Sequence, residues 1–564
     1  MRLEYNLAKI ESNEDYPEKY WSVKGQLVKM ATTAVLQHSA GMRSTTFPLT
    51  QLPNEIMHMV FEQLTRRYQQ RDIARLRLVC KRFAEIGNCF LLSEAHLFFK
   101  SSQFEQLRQI SEHPTISKNV NTLFYEADTL EDYGSMQHWR EHICVPGWMH
   151  DLSPEGLHPP PPTASEREQR AYKRDLNKAM HGPKYTHSET LLRRAYATFT
   201  EHIADQKSMR AQDYNVETLK EAMLKMPKLK TIEMSTECCL NNGRSTRMER
   251  AFKDGLSSPY GDRQSEDGCG VGQLRSLLLA ADAADLKLET LSAGNLDWRF
   301  FTELGKQNHE TPYPGDTDWS FPMDSSKQNI EVLRKMQRAV RYLRTLKLYI
   351  STSSEYDDDV YFDDLSHVMV PECAKYLHET SHLKDFITAT PDLERLDINF
   401  DCDDPYPPAT LCDCVGTFKW HALRVAAFAY VSADEDCLAY FFARHASTLR
   451  KIRLDTILLT TGSWPSLFQR ARKILKLEKA ALSGRLKSND PEESHYFDLP
   501  AGLNGGKKAK MEVLVEEYLL KGGDGPLLDL DALFEKHYRT YIYPEEDLGN
   551  FVDTESDEVI MDRF

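Results

Sequence analysis

The stretch Leu343-Arg344-Thr345-Leu346-Lys347-Leu348 decides how most of this 564-residue chain is interpreted. From Thr345 onward apolar and polar residues alternate, which is typical of a short β-strand with one buried face. The same Leu-x-x-Leu-x-Leu phrase, or a close variant, recurs at 229–234, 393–398 and 449–454, with weaker copies starting at Leu288 and Leu423. Helix-like segments such as 216–226 and 438–442 precede strong copies. The sequence therefore predicts a series of helix–strand units.

One helix–strand unit cannot bury the apolar face of its own strand, but stacked neighbouring units can close a shared core. The recurring phrase is therefore similar to a leucine-rich repeat, although the irregular intervals between copies require insertions. The alternative is an ordinary α/β domain in which strands follow helices. We expect an α+β or α/β chain, in which a small N-terminal helical domain precedes an irregular leucine-rich-repeat-like solenoid.

Composition divides the chain into segments with different patterning. Apolar periodicity typical of short helices occupies 47–100, and helix–strand patterning occupies 101–543. Proline, glycine and charged residues accumulate where we predict insertions, near 146–190, 241–273 and 483–510. Residues 1–46 are predicted to be a poorly ordered extension, and residues 544–564 an acidic tail.

The segment 47–100 begins with a helix whose start is marked by Leu52-Pro53-Asn54-Glu55-Ile56. Pro53 suits the first helical turn, and Glu55 lies at the positive end of the helix dipole. One apolar stripe at four-residue spacing consists of Ile56, Val60 and Leu64. Asp72 is predicted to cap a second helix, whose apolar face consists of Ile73, Leu76, Val79, Cys80 and Phe83. So small a unit must pack on the next domain or await a partner.

Two phrases in this segment resemble the F-box motif, namely Leu52-Pro53-Asn54-Glu55-Ile56 and Leu76-Arg77-Leu78-Val79-Cys80-Lys81-Arg82-Phe83. The runs 113–117 and 125–128 are in addition similar to filamentous-fungal F-box proteins. The resemblance implies a small helical domain that binds a Skp-type adaptor, which bridges to a cullin–RING ubiquitin ligase. The positions that match the family's docking surface are Leu52, Pro53, Ile56, Val60, Leu64, Leu76, Val79, Cys80 and Phe83. For each residue taken alone, a place in the chain's own core remains the alternative.

The resemblance also implies a function. We expect a non-catalytic substrate-recognition adaptor of an SCF-type (Skp–cullin–F-box) ubiquitin ligase, which recruits a protein substrate through its repeat domain. One alternative is a scaffold that binds a Skp-type adaptor outside a ligase. A second alternative, from another class, is an enzyme with an appended F-box.

The overall composition narrows the partners. The net charge of −15 argues against general binding of nucleic acid, which needs a basic surface. The sequence has no apolar run of the length that spans a membrane, and its first residues lack the pattern of a signal peptide. Eleven cysteines without a regular framework favour a reducing compartment, so we expect the cytoplasm or the nucleus.

No motif in the sequence calls for a cofactor or a metal. The glycines at 268–272 follow a polar loop rather than a strand, which favours an insertion over a phosphate-binding loop. Cys402, Cys412 and Cys414 lack the second spaced pair of a zinc site, so we expect free thiols in a loop. The acidic run 355–364 is interpreted as a solvated loop, with a site for a basic partner as the alternative.

Overall fold

The six leucine phrases mark the starts of β-strands. In each case the strand begins two residues after the first leucine of the phrase, so these predicted strands are confirmed. The structure, a computed structural model, describes residues 53–66, 70–144, 169, 172–173, 188–212, 216–236, 246–257, 259, 270–301, 328–352, 366–401, 407–488, 498–499 and 510–522. The predicted extension 1–46, the acidic run 355–364, Cys402 and the acidic tail 544–564 lie outside these residues.

The strands of the described residues belong to one sheet. They are β1 Glu94–Phe98, β2 Thr122–Glu126, β3 Thr231–Ser235, β4 Thr290–Asp297, β5 Thr345–Ser351, β6 Arg395–Asp401, β7 Ala409–Thr410, β8 Val425–Ala433, β9 Lys451–Leu459, β10 Lys479–Arg485, β11 Lys487–Ser488 and β12 Asp498–Leu499. From β1 to β6 and from β8 to β10 each strand pairs with the next in chain order, and β6 pairs with β8. Short β7 pairs with β8 and β11 with β9. Every pair is parallel except β10 with β12.

The strands begin in one register, which aligns their buried side chains, and the β4–β5 pairing shifts only between Ala293 and Leu296. Leu346 on β5 lies opposite Leu291 on β4 and Leu396 on β6, and all three are fully buried. Two residues further on, Leu348 lies opposite Ile398 in the same way. Each fully buried aliphatic side chain contributes about 1.5–3 kcal/mol, so these aligned rows are a major part of the core. The alternation seen in the sequence is the burial pattern of the sheet.

Helices connect most of the parallel strands, as parallel pairing requires. They are α4 Ser101–Glu112, α5 Met136–Cys144, α6 Glu189–Ala211, α7 Val216–Leu224, α8 Thr246–Phe252, α9 Val271–Ala283, α10 Gln328–Val340, α11 Ser366–Thr380, α12 His382–Thr388, α13 Leu411–Val415, α14 Glu435–His445, α15 Trp464–Ile474 and α16 Lys510–Lys521. Along the sheet α4, α7, α9, α10, α12, α13, α14, α15 and α16 each pack on the next. The helices predicted near 216–226 and 438–442 are therefore confirmed as α7 and α14.

The chain divides into two compact units. The first contains the helices α1 Asn54–Arg66, α2 Gln70–Leu76 and α3 Lys81–Asn88, together with His113–Val120. The second contains Glu94–Glu112 and the described residues from Asn121 onward, and hence the whole sheet. The segment 47–100 that the sequence assigns to short helices thus includes β1, which belongs to the second unit.

Two local predictions are wrong. Asp72 does not cap the second helix, because α2 already begins at Gln70 and Asp72 lies in its first turn. Cys412 and Cys414 do not lie in a loop but on α13. A capping box made by Thr410 and Asp413 starts that helix, since each residue's side chain accepts a hydrogen bond from the other's backbone N–H.

A buried histidine joins α14 to the loop before β8. Nε2 of His445 accepts a hydrogen bond from the Trp420 backbone N–H at 3.1 Å, and Nδ1 lies 2.9 Å from the Phe441 carbonyl oxygen. With Nε2 as the acceptor, the proton of the neutral ring is on Nδ1 and is donated to Phe441. Burial lowers the pKa of His445 to about 4, so the folded chain holds this ring neutral.

We expect the free energy of unfolding of the second unit to fall as the pH drops from about 6.5 to about 4. In that window the unfolded chain binds a proton at His445 that the folded chain excludes, and the loss is of the order of 2 kcal/mol. Urea unfolding over a pH series measures it in wild type, in His445→Gln and in His421→Gln, the last at an exposed histidine. Only His445→Gln should flatten the dependence, and equal slopes in all three proteins would contradict the role of His445.

Candidate functional site

The first unit has a small core of its own. Its buried side chains are Met57, Phe61, Ile73, Phe83 and Ile86. The Phe61 ring contacts Phe83 edge-on at 6.2 Å between centroids and stacks on Phe90 at 5.9 Å. Gly87 permits this packing, because a Cβ there would lie 2.5 Å from Cγ of Arg77 and 3.0 Å from the Phe61 ring. Phe61 is therefore the centre around which α1 and α3 pack.

The predicted second helix is interrupted, and the interruption exposes two apolar side chains. After α2 the chain turns through residues 77–79, where Leu78 N–H donates to the Arg75 carbonyl and Val79 N–H to the Leu76 carbonyl. Cys80 then caps α3 in an extended conformation, and its sulfur accepts a hydrogen bond from Phe83 N–H at 3.5 Å. Leu78 is 86% exposed and Val79 61% exposed. A single helix across 72–83 is therefore wrong, because the cap at Cys80 divides it.

One hydrogen bond places this turn beside the start of α1. Nε of Arg82 donates to Oδ1 of Asn54 at 2.8 Å, and the two residues are 28 positions apart. Asn54 follows Pro53 and Arg82 follows the cap of α3 by two positions, so the two F-box-like phrases meet at one end of the helical unit. Leu78 and Val79, which come shortly before Arg82 in the sequence, are exposed, and so is Pro53, which precedes Asn54.

The structure assigns the predicted site residues to three classes. Phe83 is buried in the core, and Pro53 and Val79 are exposed. The half-buried residues are Ile56, Val60, Leu64, Leu76 and Cys80. Leu52 lies outside the described residues. The assignment of this set to a docking surface stays a prediction.

Leu78 is the residue that the sequence analysis missed. It lies within the quoted phrase but off the helical stripe, and helical periodicity gives no reason to select it. Exposed apolar groups beside one another are unusual on a soluble surface that has no partner. We call Leu78 and Val79 the apolar tip. Exposed Arg75 and Lys81 flank this apolar tip in the sequence, so the tip suits a partner with an apolar pocket and an acidic rim.

The comparison with protein families agrees with this geometry. Residues 49–93 match the family model described as F-box-like. The chain carries an F-box-like domain. Domains of this family generally bind Skp-type adaptors, and the proteins that contain them are typically non-catalytic adaptors, which suggests a role in SCF-type ubiquitin ligases. No curated protein matches the chain at a significant level, and the similarity to fungal F-box proteins stays a prediction.

Among the described residues, no group of three or more His, Cys, Asp and Glu side chains is placed to hold a metal ion. No described helix is both long enough and apolar enough to cross a membrane. The residues around the apolar tip of the F-box-like domain therefore form the best-defined candidate site.

Proposed function

We propose that this protein is the substrate-recognition adaptor of an SCF-type ubiquitin ligase. The observation that carries the proposal is the F-box-like domain at 49–93 with its exposed Leu78, Val79 and Pro53. Burial of these side chains by a Skp-type adaptor would remove an apolar surface from water, which is the main favourable contribution to such association. Through that adaptor the chain would join a cullin–RING ligase in the cytoplasm or nucleus.

The second unit is, in this proposal, a leucine-rich-repeat-like solenoid that binds the protein substrate. Its support is the order of the strands, since consecutive strands are neighbours, parallel and in register, and consecutive helices pack beside them. Such stacking is how repeat units close a core that none closes alone. The contribution of the unit to ubiquitin transfer would be a high effective concentration and a fixed orientation of the substrate, not bond chemistry.

Binding to a purified Skp-type adaptor tests the first step of the proposal. We expect the full chain and the adaptor to co-elute from size-exclusion chromatography as a stable one-to-one complex. The measured affinity should weaken as salt rises, because Arg75 and Lys81 border the apolar tip. Failure to form a complex at micromolar concentrations would remove the basis of the adaptor role.

Reconstituted ubiquitylation separates a ligase subunit from a scaffold. Proteins captured by the full chain would be supplied to an assembly of adaptor, cullin and RING protein, with and without the chain. Ubiquitin transfer that requires the chain supports the ligase. Adaptor binding without transfer to any captured protein would favour the scaffold instead.

A further inference from the structure

Two thiols of the second unit are in contact although they are distant in the sequence. Cys412 lies on α13 and Cys437 in the first turn of α14, and their sulfur atoms are 2.8 Å apart. Both are free cysteines. Neither belongs to the F-box-like domain, so what the pair does is independent of the proposed binding to a Skp-type adaptor.

The caps of the two helices hold these thiols in place. On α13 the Thr410 side chain accepts from Asp413 N–H at 3.1 Å, and on α14 Cys437 N–H itself donates to Oδ1 of Asp434 at 2.6 Å. A disulfide needs a sulfur–sulfur distance of about 2.05 Å, so the sulfurs have to approach by about 0.75 Å.

The surroundings suit thiol–disulfide exchange. Cys412 is exposed, and the Arg444 guanidinium, which donates to the Gly416 carbonyl at 2.9 Å, interacts electrostatically with both sulfurs. The exposed Cys412 sulfur is accessible to a small disulfide, which a thiolate attacks in the first step of exchange. Burial, together with the hydrogen bond to Cys412, raises the pKa of Cys437 to about 12. The half-buried Cys437 is less accessible to an incoming disulfide than the exposed Cys412.

We propose that Cys412 and Cys437 are a site of oxidative modification, where a small-molecule disulfide of the glutathione class converts the dithiol into an intramolecular disulfide. The Cys412 thiol loses its proton, attacks one sulfur of the small disulfide and releases one thiol. Cys437 then loses its proton and attacks the Cys412 sulfur, which breaks the mixed disulfide and releases the second thiol. The protein loses two electrons and two protons, and one disulfide is reduced to two thiols.

Other roles for the pair fit the structure less well. Among the described residues no third His, Cys, Asp or Glu completes a metal site with the two sulfurs. Cys414 lies on the same short helix but is fully buried, so it does not compete for an incoming disulfide. The simple alternative is that two unreactive thiols merely pack together. The exposure of Cys412 argues against that alternative.

The test uses the full chain in buffers with graded ratios of reduced to oxidised glutathione. After acid quenching and alkylation of the remaining thiols, peptide mass spectrometry reports the state of each cysteine. We expect the alkylated peptides of Cys412 and Cys437 to decrease together as one disulfide-linked peptide appears. Addition of dithiothreitol should restore both free thiols fully. In Cys437→Ser, Cys412 should stop at the mixed disulfide. The matched control is Cys89→Ser. The Cys89 sulfur lies in the first unit, where it donates to the Glu85 carbonyl oxygen, so the link between Cys412 and Cys437 should form in this variant as in wild type.

Two results with the folded protein would overturn the proposal. One is a wild-type protein in which Cys412 carries glutathione but no peptide links it to Cys437. The other is a wild-type protein in which neither thiol reacts at a ratio that modifies Cys89. Repeating the oxidation in urea checks that the fold directs the pairing, because an unfolded chain should scramble its eleven cysteines. Selective formation of the same link in urea would also count against the proposal.

Discussion

The double substitution Leu78→Ser and Val79→Ser is expected to weaken binding of a Skp-type adaptor by about two to four orders of magnitude. Burying each of these side chains in a partner is worth about 1.5–3 kcal/mol, and about 1.4 kcal/mol corresponds to tenfold in affinity. Both side chains are exposed in the chain itself, at 86% and 61%. Their loss should therefore leave the stability of the F-box-like domain within about 0.5 kcal/mol of wild type.

Calorimetric titration with purified adaptor measures the affinity, and thermal unfolding verifies the fold. Leu224→Ser is the matched control, since Leu224 is an exposed leucine outside the F-box-like domain and its replacement should leave adaptor binding unchanged. An unaltered affinity in the double variant would show that Leu78 and Val79 do not lie in the interface. The remaining candidates would then be Pro53 and the half-buried stripe of α1.

The sheet could be predicted wherever the strand carries large aliphatic residues two positions apart. Leu346 and Leu348 on β5 are such a pair, and their alternation reveals the buried face directly. On β10 the equivalent buried positions are Ala480 and Leu482, opposite Ile452 and Leu454 of β9. β4 and β8 also have an alanine at one of these two positions, but a weaker copy of the leucine phrase is identified at the start of each. No copy is identified before β10, so only an insertion near its end is predicted from the sequence.

The candidate site was harder to predict, because helical periodicity finds apolar faces without saying what covers them. Phe83 lies on the predicted face and is covered by the chain's own core, whereas Leu78 lies off that face and is exposed. The difference arises at Cys80, whose sulfur caps α3 and interrupts the helix. Serine, threonine, aspartate and asparagine are the usual capping residues, so a cysteine in this role gave no signal in the sequence.

The substitution Phe61→Ala is expected to unfold the F-box-like domain and leave the second unit folded. Removing a buried phenylalanine costs about 3–5 kcal/mol. A domain of about 45 residues has only about 2–7 kcal/mol of stability at the usual value per residue. Phe61 contacts Phe83 and Phe90 and lies close to Gly87 on α3. The cavity left by the missing ring would therefore lie where α1 meets α3. Hydrogen exchange should show lost protection across 53–93, and adaptor binding should disappear.

Phe61→Leu is the control that separates a cavity from the loss of an interface. Leucine fills much of the same space, so protection across 53–93 and adaptor binding should both be largely retained. Leu78→Ser with Val79→Ser should behave differently from either, because binding would be lost while protection stays. If Phe61→Ala kept wild-type protection, the helices would be held by contacts other than the Phe61 cluster. The Phe61 cluster would then not be what holds Leu78 and Val79 in their exposed positions. The docking surface would have to be sought elsewhere on α1 and α3.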